Sequence, residues 1–267
     1  MKFKGKQITV FGLSRSGIAV SRLLHDLGAD LCVTDPKPAD QLETEIVALS
    51  DLDIDFLLGG HKPQCIKNKD MLVVSPGVPL DIPILIQAKH EGIPIQGELE
   101  VAASVCCTPI VAITGTKGKS TTAVLTGELL KKGGFGTVCV AGNIGNPLSN
   151  DVQHLGVNDV VVVEVSSFQL ETTVDFCPLV SVVLNLARDH LDRHQTMQVY
   201  QEIKENICQN QTDDHWIILN AGDPKVSSFS NNTRAKPIHF SDSAEPRIGT
   251  FLRNDEIWIN WHDQSIR

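Results

Sequence analysis

Ile110-Val111-Ala112-Ile113-Thr114, followed at once by Gly115-Thr116-Lys117-Gly118-Lys119-Ser120-Thr121, is the stretch on which the fold turns. The first five residues form a short apolar run bounded by glycine, which predicts a buried strand. The glycines let the backbone curl so that successive N–H groups point inward, and the pattern from Lys119 to Lys132 predicts a helix. Strand, turn and helix start together make a cradle for phosphate oxygens. Lys119 is placed to reach the β- and γ-phosphates of ATP and the Ser120 hydroxyl to ligate Mg²⁺, with Gly115, Thr116, Lys117, Gly118 and Thr121 completing the loop. The full phosphate-loop pattern carries another glycine five residues before Gly118. That position is Ile113 here, so the loop is a shortened variant. A glycine-rich turn with incidental lysines is the plainer alternative, but it leaves the flanking strand and helix unexplained.

Glu164 strengthens the phosphate reading. It lies near the end of the apolar strand predicted over 160–165, where a carboxylate is costly unless exposed or paired with a cation. A Mg²⁺ shared with Ser120 would provide that pairing, as a solvent-facing position at a sheet edge would also do.

Working outward, β-branched runs alternate with helical patterns, the signature of parallel sheets with crossover helices. Strands are expected at 7–11, 31–34, 54–57, 71–75 and 93–96, with helices at 16–27, 41–49 and 82–91. A short helix begins near Glu98, and a second series follows with strands at 110–114, 137–140, 160–165, 180–184 and 216–219. Helices in that series are expected at 119–132 and 195–208. The fold class is therefore α/β, with an N-terminal Rossmann-like parallel-sheet domain at 1–97 and a phosphate-loop-type ATPase domain at 98–267. The tail reads as a hairpin over 251–261 turning at Asn254-Asp255, with no helix after it, so the second domain is expected to be incomplete.

The first series opens on Gly12-Leu13-Ser14-Arg15-Ser16-Gly17, a GxGxxG-like turn with Ser14 in the middle glycine position. Asp35 ends the next strand, as the ribose partner of a dinucleotide fold does. The pattern suits an NAD-dependent dehydrogenase or any nucleotide diphosphate. Ser75-Pro76-Gly77 ends a further strand and offers more backbone donors at the same sheet edge, or is a simple turn.

Composition excludes several classes. The 267 residues carry 32 acidic and 23 basic side chains, a net charge of −9, which argues against a nucleic-acid partner. The seven cysteines are odd in number and contain no CxxC pair, so reduced thiols are expected rather than a disulfide frame or metal site. Lys2, Lys4 and Lys6 precede apolar residues, but Ser14, Arg15 and Ser16 break the run a signal peptide would need. No apolar run reaches the roughly 20 residues of a membrane span. A soluble, cytoplasmic chain is expected.

Three further strings decide the family: Gly142-Asn143-Ile144-Gly145, then Glu164-Val165-Ser166-Ser167-Phe168-Gln169-Leu170-Glu171-Thr172-Thr173, then Asn185-Leu186-Ala187-Arg188-Asp189-His190-Leu191-Asp192-Arg193-His194. In this order after the phosphate loop, the chain resembles the Mur ligases over essentially its whole length. The string from Ser166 to Thr173 is most similar to the branch that adds D-glutamate to UDP-N-acetylmuramoyl-L-alanine in peptidoglycan synthesis. The resemblance implies a UDP-holding first domain, a central ATPase domain and a C-terminal domain that brings the amino acid. That last domain is expected to be absent here, together with the adenine and D-glutamate contacts. An acyl phosphate formed from the substrate carboxylate and ATP is the implied intermediate. Lys119, His190 and Lys204 are the implied catalytic residues, with two Mg²⁺ ions held by Ser120, Glu164, His190 and a carbamylated Lys204. Leu13, Ser14, Asp35 and Gly77 should touch UDP, and Asn143, Ser166 and Gln169 the muramoyl-alanine side. Lys117 departs from the asparagine of the family loop.

Read without that resemblance, Lys204 is a solvated lysine beside the helical stripe Met197, Tyr200, Ile203 and Ile207. His190 and His194 stand four apart like a helical zinc pair, yet no glutamate follows His190 and no third ligand is near, which leaves one functional and one surface histidine. The dehydrogenase reading leaves Glu164 and the Gly115 loop without a role. A nucleotide-binding fragment lacking ligase activity, or a Mur ligase adding another amino acid, are the remaining alternatives. No membrane partner is expected, and the chain is expected to be a monomer.

Overall fold

The computed structural model describes residues 2–261 and 264–266, which fall into two compact units. The first comprises the residues up to Cys106 together with Asn146–His154 and Thr172–Val174. The second comprises Cys107–Gly145, Leu155–Glu171 and the residues from Asp175 onward.

In the first unit, strands β1 (Gln7–Phe11), β2 (Asp30–Asp35), β3 (Ile54–Leu58), β4 (Met71–Val74) and β5 (Ile95–Gly97) form one parallel sheet in the order β3-β2-β1-β4-β5. Helices α1 (Arg15–Asp26), α2 (Glu43–Val47), α3 (Pro83–His90) and α4 (Glu98–Ala103) belong to the same unit. Both sides of its central strands are covered, which is why Ile8, Val10, Phe11, Val33, Leu72 and Val73 are buried and the strands read as unbroken apolar runs. Strand order reverses between β1 and β4, and a crevice opens beyond the carboxyl ends at such a point. Gly17 on the first turn of α1 is packed so tightly that a Cβ there would lie 1.9 Å from the Gly12 carbonyl oxygen.

The second unit is built on nine strands in the order β14-β13-β12-β11-β10-β9-β6-β8-β7. They are β6 (Ile110–Thr114), β7 (Val138–Gly142), β8 (Val160–Glu164), β9 (Val180–Val183), β10 (Trp216–Asn220), β11 (Lys236–Ser241), β12 (Gly249–Arg253), β13 (Glu256–Trp261) and β14 (Gln264–Ile266). Pairing is parallel from β7 across to β12 and antiparallel through β13 and β14. Helix α5 (Lys119–Lys132) packs Ala123 against Ile113, Val162 and Val182. The shorter helices are α6 (Ser167–Leu170), α7 (Leu191–His194), α8 (Met197–Glu205) and α9 (Pro224–Ser227).

Most expected elements are present, and the differences have local causes. The helix expected over 195–208 is present as α8 but is shorter at both ends. Gln195 sits at φ 65°, and the Thr196 hydroxyl accepts the Val199 N–H (3.2 Å) to cap a separate α8. The expected hairpin is present as β12–β13, with Asn254 and Asp255 at φ 52° and 60°, the left-handed pair of a type I′ turn. Strand β11 was not expected, because Pro237 and His239 blur its alternation. No helix among the described residues is long and apolar enough to cross a membrane. The cysteines form no disulfide, and burial pushes the Cys32 thiol up to about 11 and that of Cys208 up to about 12.

Candidate functional site

In the first unit the turn after β1 is tied to the ends of its neighbours. The Leu13 N–H donates to Asp35 Oδ2 (2.8 Å), the Lys37 N–H to Asp35 Oδ1 (3.0 Å), and the Ser75 hydroxyl to the Gly12 carbonyl (2.9 Å). These ties frame a cavity of about 370 Å³ lined by Gly12, Ser14, Asp35, Lys37, His61 and Gly77, among others. Three of the four residues expected to touch UDP line it, while the Leu13 side chain is buried and contributes its backbone to Asp35. His61 was not foreseen. Its Nδ1 lies 3.0 Å from Thr34 Oγ1, its ring tilts against Phe11 at 5.1 Å, and burial holds its pKa below the usual imidazole value.

In the second unit the phosphate loop runs off the carboxyl end of β6, a central strand flanked by β8 and β9. Gly118 takes φ 83°, which turns the chain into α5 and points the first N–H groups of that helix at one spot. Lys119 folds back so that Nζ donates to the Thr116 carbonyl (3.0 Å). The Lys117 ammonium is exposed and lies 3.8 Å from Asp189.

Glu164 ends β8 directly beside β6, opposite Ile113, and is 1% exposed. The alternative of a solvent-facing position at a sheet edge is excluded, because β8 lies between β6 and β7 and Glu164 is buried. The Ser120 hydroxyl donates to Glu164 Oε2 (2.7 Å) and Asn143 Nδ2 to Oε1 (2.9 Å). A buried carboxylate met by two neutral donors at the mouth of an anion cradle has the chemistry of a Mg²⁺ ligand. Mg²⁺ is commonly held by one or two carboxylates, waters and substrate phosphates. Among the described residues no three His, Cys, Asp or Glu side chains cluster tightly enough to bind a metal by themselves.

Lys204 is not the solvated lysine its helix pattern predicts. It is 1% exposed beneath the loop, where Nζ donates to Thr114 Oγ1 (3.0 Å) and to the Gly115 carbonyl (3.1 Å), with the Tyr200 ring 5.0 Å away. Burial, seconded by the nearby Lys119 charge, lowers its pKa to about 7. A helical stripe shows which residues share a face but not how a long side chain bends under a neighbouring loop.

One of the two histidines departs from expectation. His190 precedes α7 as its N-cap residue at φ 51°, half exposed, with its ring 4.8 Å from Phe168. His194 is the buried one. Its Nε2 lies 2.9 Å from Ser167 Oγ, and its Nδ1 is 3.1 Å from Glu171 Oε1 but off the line of a hydrogen bond. Arg193 holds that same carboxylate, with Nη2 2.6 Å from Oε2. Burial lowers the His194 pKa against the opposing pull of Glu171.

Ser166 and Gln169 form a capping box on α6. The Ser166 hydroxyl accepts the Gln169 N–H (3.3 Å), and Gln169 Oε1 accepts the Ser166 N–H (3.0 Å). The loop thus brings together Ser120, Glu164, Asn143 and, from below, Lys204. Thr114, Tyr200 and Asn185 also contact it and were not singled out, because their signal is a hydrogen-bond partner and not a motif.

The sequence matches the Mur ligase middle domain over residues 113–265 and the N-terminal domain of MurD-like Mur ligases over residues 6–97. It is 45% identical over 261 residues to the UDP-N-acetylmuramoylalanine–D-glutamate ligase of Geotalea uraniireducens, covering 98% of this chain and 57% of that protein. The same-named ligase of Clostridioides difficile is 41% identical over 266 residues, covering 99% and 58%. The chain thus spans somewhat over half the length of these curated relatives. Among solved structures, the UDP-N-acetylmuramate:L-alanyl-gamma-D-glutamyl-meso-diaminopimelate ligase from Neisseria meningitides shares the fold at TM-score 0.60 and 15% identity, over 98% of this chain and 86% of that one.

Proposed function

This chain belongs to the Mur ligase family, and from that premise we propose that it supplies the UDP-substrate-binding and ATP-binding parts of a ligase joining D-glutamate to UDP-N-acetylmuramoyl-L-alanine. The observation that carries the reading is the buried Glu164 carboxylate, held by Ser120 and Asn143 at the start of the phosphate-loop helix. The relatives at 40–45% identity support the choice of amino acid and acceptor. Residues 1–97 take the UDP moiety and residues 98–267 take ATP.

A carboxylate cannot be attacked by an amine until one of its oxygens is a competent leaving group. Transfer of the ATP γ-phosphoryl to the muramoyl-alanine carboxylate provides one, as an acyl phosphate. The D-glutamate amine then adds to its carbonyl carbon, and phosphate leaves as the amide forms. Positioning and charge neutralisation dominate such a transfer. The N–H groups that open α5 grip the phosphate oxygens, and Lys119 leaves the Thr116 carbonyl to meet them. Ser120 and Glu164 would hold Mg²⁺, which when bound supplies positive charge against the transferring group. His190 and a carbamylated Lys204 are assigned to a second ion. A pKa near 7 leaves about half the Lys204 amine neutral at neutral pH, and the neutral lone pair is what adds to the carbon of CO₂. Asp35, Ser14 and Gly77 face the cavity assigned to UDP. Asn143, Ser166 and Gln169 are assigned to the muramoyl-alanine side.

Isothermal titration of UDP-N-acetylmuramoyl-L-alanine and of ATP–Mg²⁺ into the chain, with UDP-N-acetylmuramate as control, tests the proposal. Binding that prefers the alanine-bearing ligand is expected. A folded chain that binds neither nucleotide would remove the proposal.

A further inference from the structure

Strand β9 runs beside β6 with Val183 opposite Thr114, and the Leu184 N–H donates to the Thr114 carbonyl (3.0 Å). The pairing continues past the end of both strands through the backbone carbonyl and the side chain of one residue. The Asn185 carbonyl accepts the Thr116 N–H (2.9 Å), and Asn185 Oδ1 accepts from both the Thr116 N–H (3.1 Å) and the Lys117 N–H (2.8 Å). Asn185 Nδ2 donates back to the Lys117 carbonyl (3.0 Å). A side-chain amide thus stands where another peptide unit would, with donor and acceptor both in use. Two residues on, the Ala187 N–H donates to Thr116 Oγ1 (3.0 Å).

This grip has a chemical consequence. The Thr116 and Lys117 amides point at Asn185 and are not available to an anion. The cradle is left to the N–H groups from Gly118 to Thr121, at the positive end of α5. Asp189 and His190 follow four and five residues after Asn185 on the same stretch of chain.

We propose that Asn185 is a positioning residue of the nucleotide site, whose side-chain amide sets the apex of the phosphate loop so that the start of α5 receives the phosphates. The proposal rests on the reading of that loop as an ATP site. Aspartate has the shape of asparagine, but it would set an oxygen in place of Nδ2 against the Lys117 carbonyl and add a negative charge beside the anion. Alanine would remove the side-chain bonds to Thr116 and Lys117 without adding charge, leaving the Thr116 N–H on the backbone carbonyl of residue 185.

Two measurements test it. Amide hydrogen exchange on the wild-type chain should find Thr116 and Lys117 protected before ATP is added, with the response to ATP–Mg²⁺ confined to residues 118–121. Titration calorimetry on Asn185→Asp and Asn185→Ala should find ATP affinity weakened about tenfold or more, with UDP-N-acetylmuramoyl-L-alanine affinity within about twofold of wild type. Unprotected Thr116 and Lys117 amides would overturn the proposal. So would variants that bind ATP as wild type does, or that lose both ligands equally, the mark of a general structural role. A folded wild-type chain that binds no ATP would overturn the nucleotide reading itself, and this proposal with it. Wild-type binding with unaltered variants would overturn this proposal alone.

Discussion

Replacing Lys204 by methionine should raise the stability of the second unit at neutral pH and lower it at high pH. The Lys204 amine is buried beneath the phosphate loop with its pKa brought from the usual 10.5 to about 7. That difference corresponds to about 5 kcal/mol against the charged form. Between pH 7 and 10.5 the unfolded chain binds this proton and the folded chain does not, so stability rises with pH by about 1.4 kcal/mol per pH unit. Below pH 7 both states hold the proton and the full penalty stays in place. Lys204→Met removes the penalty together with the hydrogen bonds to Thr114 and Gly115, whose loss costs about 1 kcal/mol each. The variant is therefore expected to be more stable by about 2 kcal/mol at neutral pH and less stable by about 1 kcal/mol near pH 10, the two curves crossing at about pH 9. The three tryptophans, Trp216, Trp258 and Trp261, all lie in the second unit, so urea unfolding followed by their fluorescence reports on that unit alone. The titration belongs in CO₂-free buffer, where the amine stays unmodified. A difference between variant and wild type that stays flat from pH 7 to 10 would refute the buried, neutral amine.

Two further outcomes follow from the same geometry. Glu164→Gln keeps the shape and can still meet Ser120 and Asn143, but it loses the charge; Mg²⁺-dependent ATP affinity should fall about tenfold or more, while binding measured in EDTA changes little, and equal losses in both would count against a metal ligand. Gly17→Ala sets a methyl group 1.9 Å from the Gly12 carbonyl oxygen, so the first unit should lose more than about 3 kcal/mol, with UDP-ligand binding lost and the tryptophan-reported unfolding of the second unit as the comparison; a calorimetric melt like that of wild type would show that the turn can yield.

The strand–turn–helix units at Gly12 and Gly115 are legible in the chain alone, because glycine spacing and apolar runs act over a few residues and leave the same mark in any context. The same locality made the bounds of β1, β6 and α5 legible to the residue, and the Asn254-Asp255 turn with them. The family strings supplied the other expected site residues by resemblance. The partners reached across the sheet come from folding. Lys204 lies 90 residues from Thr114, Asn185 68 from Lys117 and Glu164 44 from Ser120, and nothing in the local pattern at either end names the other. Burial decided the same cases. A lysine on an amphipathic helix and a histidine four residues after another look solvated in sequence. Lys204 and His194 are instead enclosed, because the phosphate loop closes over one and α6 packs against the other. Desolvation, the physical term that shifts both of their pKa values, comes from that enclosure and from no property of the residues in line.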